Sequence, residues 1–475
     1  MMKVAFVLVA ILDLLIPSAG AATLQPNIVL VFIDDMGWGD LSCFGNTQAQ
    51  TPHIDRLAAK GIRFSQFYVN APICSPSRVA ISTGQYPQRW RITSFLNNRG
   101  ENEKRGVAQW LDPKAPMLAR ILDQNGYATG HFGKWHMGGQ RDVGEAPLIT
   151  KYGFDESLTN FEGLGPRLLG LGNAHDGKPP RRHALGSHLL GQGPVVWYDR
   201  SRLTAAYAGA AIALIEAAVA EGRPFYINVW PDDVHSPFFP PKRKRGDGSK
   251  RDLYRGVLET MDRQLGVLFD RIRGDPKLRE NTLILVCSDN GPEPGAGSAA
   301  PLRGVKGSLY EGGIRSPLVV WAPGQMATAK AGYHNADSVF SAIDLVPSLL
   351  KVAGVKLPDG VTFDGEELAE TLLGQSTKSR SAPLCWRRPP DRKALPAMNP
   401  ATQRDLAIRD GPWKLLCEYD GSKPEVYSLS NDRGETTNVG AENPELVQRL
   451  TASVLAWHRS LPADKGATYA LHKER

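Results

Sequence analysis

The sequence predicts an α/β protein built on a large, mostly parallel sheet sandwiched by helices, with a smaller C-terminal antiparallel sheet and a packed helix. Three observations predict this. Short apolar runs at 28–33, 225–230 and 282–287 end in polar residues, as strands buried on both faces do. Segments with apolar residues at helical spacing alternate with those runs, the pattern of a doubly wound sheet. From about Pro358 the texture changes to closely spaced turn residues and short strand-like runs, which is how a small antiparallel sheet reads.

The elements follow in order. Residues 1–22 carry a basic start at Lys3, an apolar run broken only by Asp13, and the small residues Ser18-Ala19-Gly20-Ala21-Ala22. That is the layout of a secretory signal peptide with its cleavage site, so an exported protein, bacterial periplasmic or secreted, is expected. The run is shorter than the ~20 residues a membrane span needs. No later segment reads as a span, so stable membrane insertion is not expected. Helices are predicted at 51–60, 116–124, 202–220, 252–272 and 341–352, several of them stopping at Gly61, Gly126 and Gly354, as helices commonly do. Residues 163–193, rich in Gly, Pro, Arg and His, read as a long surface insertion. The main domain is therefore set at 23–357 and a C-terminal subdomain at 358–475, with strands at 405–408, 413–418 and 425–429 and a helix at 444–457.

Composition adds limits. At 475 residues, 42% hydrophobic and 22% charged, the chain is an ordinary globular one and not a disordered one. Its net charge of +7 suits an anionic substrate, or simply a solvated surface; the densest run, Lys242-Arg243-Lys244-Arg245, reads as an exposed loop, and no nucleic-acid partner is expected. Five cysteines, widely spaced, do not make a disulfide framework. Cys287 reads as core, whereas Cys385 and Cys417 share the C-terminal region and are candidates for a pair that spacing alone does not establish.

Asp34 and Asp35 follow one predicted strand and Asp289 and Asn290 another, and those strands should be neighbours. Oxygen ligands without His or Cys select a hard cation, Ca²⁺ or Mg²⁺. Cys74-Ser75-Pro76-Ser77-Arg78 precedes a helical stretch at 79–82. A cysteine at a helix start beside an Arg is expected to have a lowered thiol pKa, so a plain cysteine nucleophile is one reading. Arg78, Lys134 and Lys306, read as lying in turns at the sheet's edge, would supply positive charge, and His136 and His235 are the candidates for proton transfer near neutral pH. The other histidines read as structural, with His183 and His188 having some claim on substrate.

The Cys74–Arg78 segment resembles the C-x-P-S-R signature of type I, formylglycine-dependent sulfatases, of the alkaline phosphatase-like superfamily. Further motifs follow in that family's order: Thr51-Pro52-His53-Ile54-Asp55, Gly133-Lys134-Trp135-His136, His235-Ser236-Pro237, Ser288-Asp289-Asn290-Gly291, Arg303-Gly304-Val305-Lys306-Gly307, and Trp413-Lys414-Leu415. The resemblance implies an alkaline phosphatase-like fold and a sulfuric ester hydrolase. It implies that Cys74 is oxidised to formylglycine by a formylglycine-generating enzyme during export, and that Asp34, Asp35, Asp289, Asn290 and the modified Cys74 hold calcium, with Mg²⁺ the weaker choice. It further implies that Arg78 and Lys134 hold the aldehyde, that His235 with Lys306 serves the leaving oxygen, and that His136 takes the proton that releases sulfate. Lys134, His235 and Lys306 would also bind the sulfate group.

The organic part of the substrate is expected to meet the 163–193 insertion and the 386–396 loop, through residues such as His183, Trp197, Trp386, Arg387 and Arg388. Export, a polar insertion and positive charge point to a sulfated carbohydrate. The alternatives are a small aryl sulfate, a phosphate or phosphonate monoester on the same fold, and a non-catalytic binder of sulfated glycans if Cys74 is not matured.

Overall fold

The computed structural model describes residues 25–160, 162–172, 179–389 and 403–462, so the segment read as a signal peptide lies outside it, as do residues 390–396 of the 386–396 loop. The strands of the large sheet are β1 (Asn27–Ile33), β2 (Ile62–Tyr68), β3 (Ala128–Gly133), β4 (Glu156–Thr159), β5 (Arg167–Gly172) and β6 (Arg181–His183). They continue with β7 (Val195–Asp199), β8 (Phe225–Trp230), β9 (Thr282–Ser288), β10 (Arg315–Trp321), β11 (Tyr333–Asn335) and β12 (Phe340–Ser341). Their order is β11-β2-β10-β9-β1-β8-β3-β4-β5-β6, with β12 beside β2 and β7 beside β5. The sheet is mostly parallel; β10 against β2 and β9, and β6 against β5, are antiparallel.

The apolar runs are explained by burial on both faces. Ile28, Leu30 and Phe32 of β1 join one core cluster, while Val29, Val31 and Ile33 join the other. Helices α1 (Pro52–Ala58), α2 (Cys74–Thr83), α3 (Arg99–Arg105), α4 (Leu118–Asp123), α5 (Leu203–Glu221) and α6 (Lys250–Gly274) follow in the chain. After them come α7 (Pro276–Asn281), α8 (Glu311–Ile314), α9 (Ala342–Val352) and α10 (Ala369–Leu372). α2, α4 and α9 pack on one face of the sheet, and α1, α5 and α6 on the other. Residues Arg200–Glu221 are, contrary to the sequence reading, long and apolar enough to cross a membrane. In the fold Tyr207, Ala211, Leu214 and Ile215 of that helix are buried against the sheet and α6, which accounts for its apolarity.

The small sheet runs β13 (Leu384–Arg387), β14 (Leu406–Asp410), β15 (Trp413–Cys417) and β16 (Glu425–Ser428), all antiparallel, with α11 (Pro444–Ser460) behind it. One face, through Trp386, Ala407, Leu416 and Tyr427, packs on Tyr68, Ala80 and Ile343 of the large domain; the other packs on Leu450 and Val454 of α11. Cys385 and Cys417 are both free thiols. They sit on β13 and β15 with β14 between them, and two strand spacings of roughly 4.8 Å exceed the Cα separation of about 7 Å that a disulfide tolerates.

The described residues of the 163–193 segment hold regular structure that its composition did not suggest. Its described residues contribute β5 and β6 to the sheet edge, with Leu168 and Leu169 buried.

Candidate active site

In-register parallel pairing of β1 with β9 sets Ile33 opposite Ser288, so the next residues of both strands emerge together, as the sequence pattern requires. The Asp35 N–H donates to Asp289 Oδ1 at 3.0 Å, and Asn290 Nδ2 donates to Asp35 Oδ1 at 2.8 Å. Asp35 has a φ of 57°, a left-handed conformation that Asp tolerates better than most residues. Asp34, Asp35 and Asp289 are fully buried, and their ligand oxygens lie within 4.8 Å of one another.

Cys74 is the first residue of α2, and Arg78, one turn on, projects from the same face of the helix. Arg78 is therefore helical and fully buried, not in a turn at the sheet's edge. Its Nη2 lies 3.0 Å from Asp34 Oδ1 and 2.9 Å from Asp289 Oδ2, and its Nη1 donates to Lys134 O at 3.1 Å. The guanidinium lies over the Phe32 and Trp230 rings, 5.7 and 5.3 Å from their centroids. One side chain thus ties the ends of β1, β9 and β3.

Lys134 reaches Asp34 Oδ2 at 2.8 Å. Its turn needs Gly133: φ is 124°, and a Cβ there would stand 2.2 Å from Trp230 O of the neighbouring strand. Lys306 Nζ lies 2.7 Å from Asp35 Oδ2, and the adjacent Gly307 N–H donates to Pro72 O at 2.7 Å, which docks that loop beside the approach to Cys74. His235 Nε2 lies 3.7 Å from Asp35 Oδ2, while Nδ1 lies 2.7 Å from Ser236 O. His136 Nε2 faces Leu96 O at 3.0 Å and Glu162 Oε2 at 2.7 Å. A cavity of about 390 Å³ opens over Cys74, lined by Lys134, His136, His235 and Lys306 and rimmed by Phe95, Arg141, His183 and Leu185.

The electrostatics differ from the sequence expectation at one point. Burial, reinforced by the Asp34 carboxylate, pushes the Cys74 thiol well above its ordinary range despite Lys134 and Lys306. A thiolate is therefore disfavoured here; neither the burial nor the acid arriving from β1 is visible in the local Cys-Arg pattern. Burial also raises Asp34, but Lys134, His235 and Arg78 outweigh it and hold that carboxyl well below its usual range. Asp289 is pushed up by burial and by Asp34. Burial, then Lys306 and Lys134, bring His235 down to about 4, and burial lowers His136 against the pull of Glu162.

The cluster fits a hard divalent cation. Three carboxylates converge, and Asn290 Oδ1 is buried with no hydrogen-bond partner; an all-oxygen donor set of this kind suits Ca²⁺ or Mg²⁺.

Of the residues proposed to meet the organic part of a substrate, His183 lines the cavity. Trp386 does not: it is fully buried and donates Nε1–H to Val69 O at 2.7 Å. Arg387 and Arg388 are also buried, Arg388 beside Asp405 at 3.5 Å, and neither lines the cavity. From β13, Trp386 instead packs on Tyr68 in the joint between the sheets. Trp197 sits under Arg182, 4.7 Å from its ring centroid. Sequence reasoning missed Glu162, Arg141 and Phe95, which no local pattern marks; in the structure Glu162 has a φ of 74°.

Comparison with known proteins agrees with this geometry. The chain is 31% identical to arylsulfatase A of Homo sapiens over 92% of this chain and 89% of that protein. It is 28% identical to the N-acetylgalactosamine-6-O-sulfatase of Bacteroides thetaiotaomicron over 91% of this chain and 93% of that one. It is also similar to the crystal structure of Ps i-CgsB in complex with k-i-k-neocarrahexaose, with a TM-score of 0.74 and 26% identity, covering 91% of this chain and 92% of the other. The Sulfatase family model matches residues 26–355, and with the acidic strand ends and their basic partners on an alkaline phosphatase-like sheet, the chain belongs to the sulfatase family and is a sulfate ester hydrolase.

Proposed function

We propose that this sulfatase is exported, that its nucleophile is formylglycine made from Cys74, that its metal is calcium, and that its substrate is a sulfated carbohydrate. The observation that carries the nucleophile is the environment of Cys74: a buried thiol beside a carboxylate, held well above its ordinary pKa, is a poor nucleophile and a poor partner for a hard cation. Oxidation to the aldehyde by a formylglycine-generating enzyme removes the sulfur and allows a hydrate with two hydroxyls, one to attack sulfur and one whose deprotonation expels sulfate. A plain Ser or Cys lacks the second hydroxyl. Calcium suits the site because Ca²⁺ tolerates irregular oxygen cages better than Mg²⁺ does. The carbohydrate reading is supported by the relatives, among them the N-acetylgalactosamine-6-O-sulfatase. Export is supported by the basic, apolar and small-residue pattern of 1–22.

Asp34, Asp35, Asp289 and Asn290 would hold the cation, which would supply Lewis acidity and favour an ionised oxygen at the Cys74 position. Arg78 keeps the strand ends and α2 in register. Lys134 and Lys306 present ammonium groups to the sulfate oxygens, where charge grows in the transition state. His235 Nδ1–H donates a hydrogen bond to Ser236 O, so proton donation to the leaving oxygen comes from Nε2 of the imidazolium, a form the arriving sulfate anion favours. Lys306 assists at the same oxygen, and His136 accepts the proton of the second hydroxyl.

Mass spectrometry of the Cys74 peptide from active enzyme made in its native host tests the nucleophile. The aldehyde or its hydrate is expected; unmodified thiol in active enzyme would sink it. Cys74→Ser should fold and lose multiple turnover. A panel of sulfated sugars and aryl sulfates ranked by kcat/KM tests the substrate, and a uniform preference for aryl sulfates would overturn the carbohydrate reading.

A further inference from the structure

We propose that Glu162 is a positioning residue that holds His136 in the tautomer with its proton on Nε2, leaving Nδ1 as the atom that accepts a proton at the Cys74 position. The proposal rests on the reading of His136 as the base of the reaction, and deepens it by naming the atom and its partner.

His136 Nε2–H donates to Leu96 O at 3.0 Å, and the same nitrogen lies 2.7 Å from Glu162 Oε2, an ion-pair contact in which that oxygen accepts no hydrogen bond. Both partners are acceptors only, so the nitrogen between them must carry the hydrogen. Nδ1 is then a lone pair; it is buried and has no hydrogen-bond partner. Its ring lines the cavity that contains Cys74.

Glu162 is built for this contact. It is buried, its φ of 74° is a conformation that costs a non-glycine residue roughly 1–3 kcal/mol, and its backbone oxygen accepts the His136 N–H at 2.9 Å. Backbone and side chain thus grip the same residue. His136 itself has a φ of 53°. Two adjoining positions held in a conformation that favours glycine, neither of them glycine, mark side chains required in place.

The charges facing the pair keep Glu162 ionised. Arg141 Nη2 stands 3.9 Å from Glu162 Oε1, and Lys134 lies nearby; against the upward push of burial, His136, Lys134 and Arg141 bring Glu162 down to about 2. Across the cavity the ring meets Cys74, His183, His235 and Lys306. Burial and Lys134 lower His136, and Glu162 opposes them, so the carboxylate keeps the imidazole basic as well as oriented. A histidine oriented by a carboxylate on its far nitrogen is a recurrent solution for a base that must take a proton at one atom only.

Two measurements decide it. Long-range ¹⁵N–¹H spectra of histidine-labelled protein, with His136 identified as the signal missing from a His136→Asn sample, should show Nε2 protonated and Nδ1 unprotonated. The Nδ1-protonated tautomer would overturn the proposal. In kinetics, Glu162→Gln should lower kcat about 100-fold with KM within about threefold, and move the acid limb of the kcat profile to lower pH, with Glu162→Asp recovering part of the loss. Wild-type kcat and pH profile in Glu162→Gln, or a rise in KM alone, would refute it. Glu162→Asp and the wild-type spectra keep the test decisive if Glu162→Gln fails to fold. A wild type with unmodified Cys74 and no turnover would remove the proposed chemistry, yet the spectra would still report the tautomer, so the two failures are distinguishable.

Discussion

Arg78→Lys keeps the charge and discards the fork, and the structure says what that costs. The guanidinium donates to Asp34, to Asp289 and to Lys134 O at once, whereas a single ammonium on a shorter stem can satisfy one carboxylate. Losing one charge-assisted hydrogen bond and leaving a buried carbonyl unpaired should together cost about 3–5 kcal/mol. For a chain of 475 residues the unfolding entropy is roughly 1 kcal/mol/K, so Tm should fall by about 3–5 °C. The assay is calorimetric melting of wild type and Arg78→Lys in a chelating buffer, so that no added cation substitutes for the lost contacts. Lys356→Ala serves as control, because its pair with Asp359 is almost fully exposed and should be worth under about 1 kcal/mol. Turnover should fall at least 100-fold, since the fork sets the spacing of three strand ends. A Tm within 1 °C of wild type, with kcat/KM unchanged, would refute the view that this side chain holds the site together.

Two further outcomes follow from the joint between the sheets. Trp386→Ala should cost about 3–5 kcal/mol in urea unfolding, because a fully buried indole and its hydrogen bond to Val69 O are removed; a raised KM at unchanged stability would instead make Trp386 a substrate contact. Glu311 and Glu435 share the buried Lys414 ammonium at 3.0 and 2.8 Å, and burial raises Glu435 to about 7 against the pull of Lys414. A carboxyl whose folded pKa is raised contributes stability that is fully present below its unfolded pKa of about 4.5 and is lost as pH rises through about 7. Glu435→Gln should therefore shrink the drop in Tm between pH 5 and pH 8, and an equal drop in both proteins would show that Glu435 does not titrate in that window.

What could be read from the chain depended on how many faces of each segment are buried. β1, β8 and β9 are buried along their whole length and read as continuous apolar runs. The pairing of Asp34 and Asp35 with Asp289 and Asn290 follows from that, since parallel neighbours in register deliver their next residues to one place. β5 and β6 were illegible for different reasons: β5 is buried almost throughout, yet Gly170 and Gly172 interrupt its apolar run, and β6 is a three-residue edge strand that leaves Arg181 and Arg182 exposed. Trp386 and Arg387 read as loop residues, yet β13 lies between two cores and buries both of its faces. The Cys74 thiol was misread for a different reason. Its neighbour in sequence is a cation, whereas what raises it is burial, which a local pattern does not report, and then Asp34, which comes from the end of β1. Local pattern reports the sign of nearby charges only when they are near in sequence. Glu162 escaped for the same reason: a lone acid in an aperiodic stretch has no signal, and its meaning comes wholly from its contact with His136, distant in sequence.

The arrangement of charge also explains why these residue types occur together. Each cation of the site faces a carboxylate: Arg78 spans Asp34 and Asp289, Lys134 meets Asp34, and Lys306 meets Asp35. Three acids and three bases packed this tightly balance, and Asp289, opposed by both burial and Asp34, is the acid least able to hold its charge. A hard divalent cation would take those same oxygens. Lys134 and Lys306 would then have their carboxylates neutralised by another partner, and their ammonium groups would be available to an anion in the cavity above Cys74. The excess positive charge suits a sulfate ester, which brings one negative charge and develops more on its oxygens as the ester bond breaks. Ion pairs that would look structural on burial alone are thus the same contacts that make the site selective for an anion, because what binds the acids determines what the bases face.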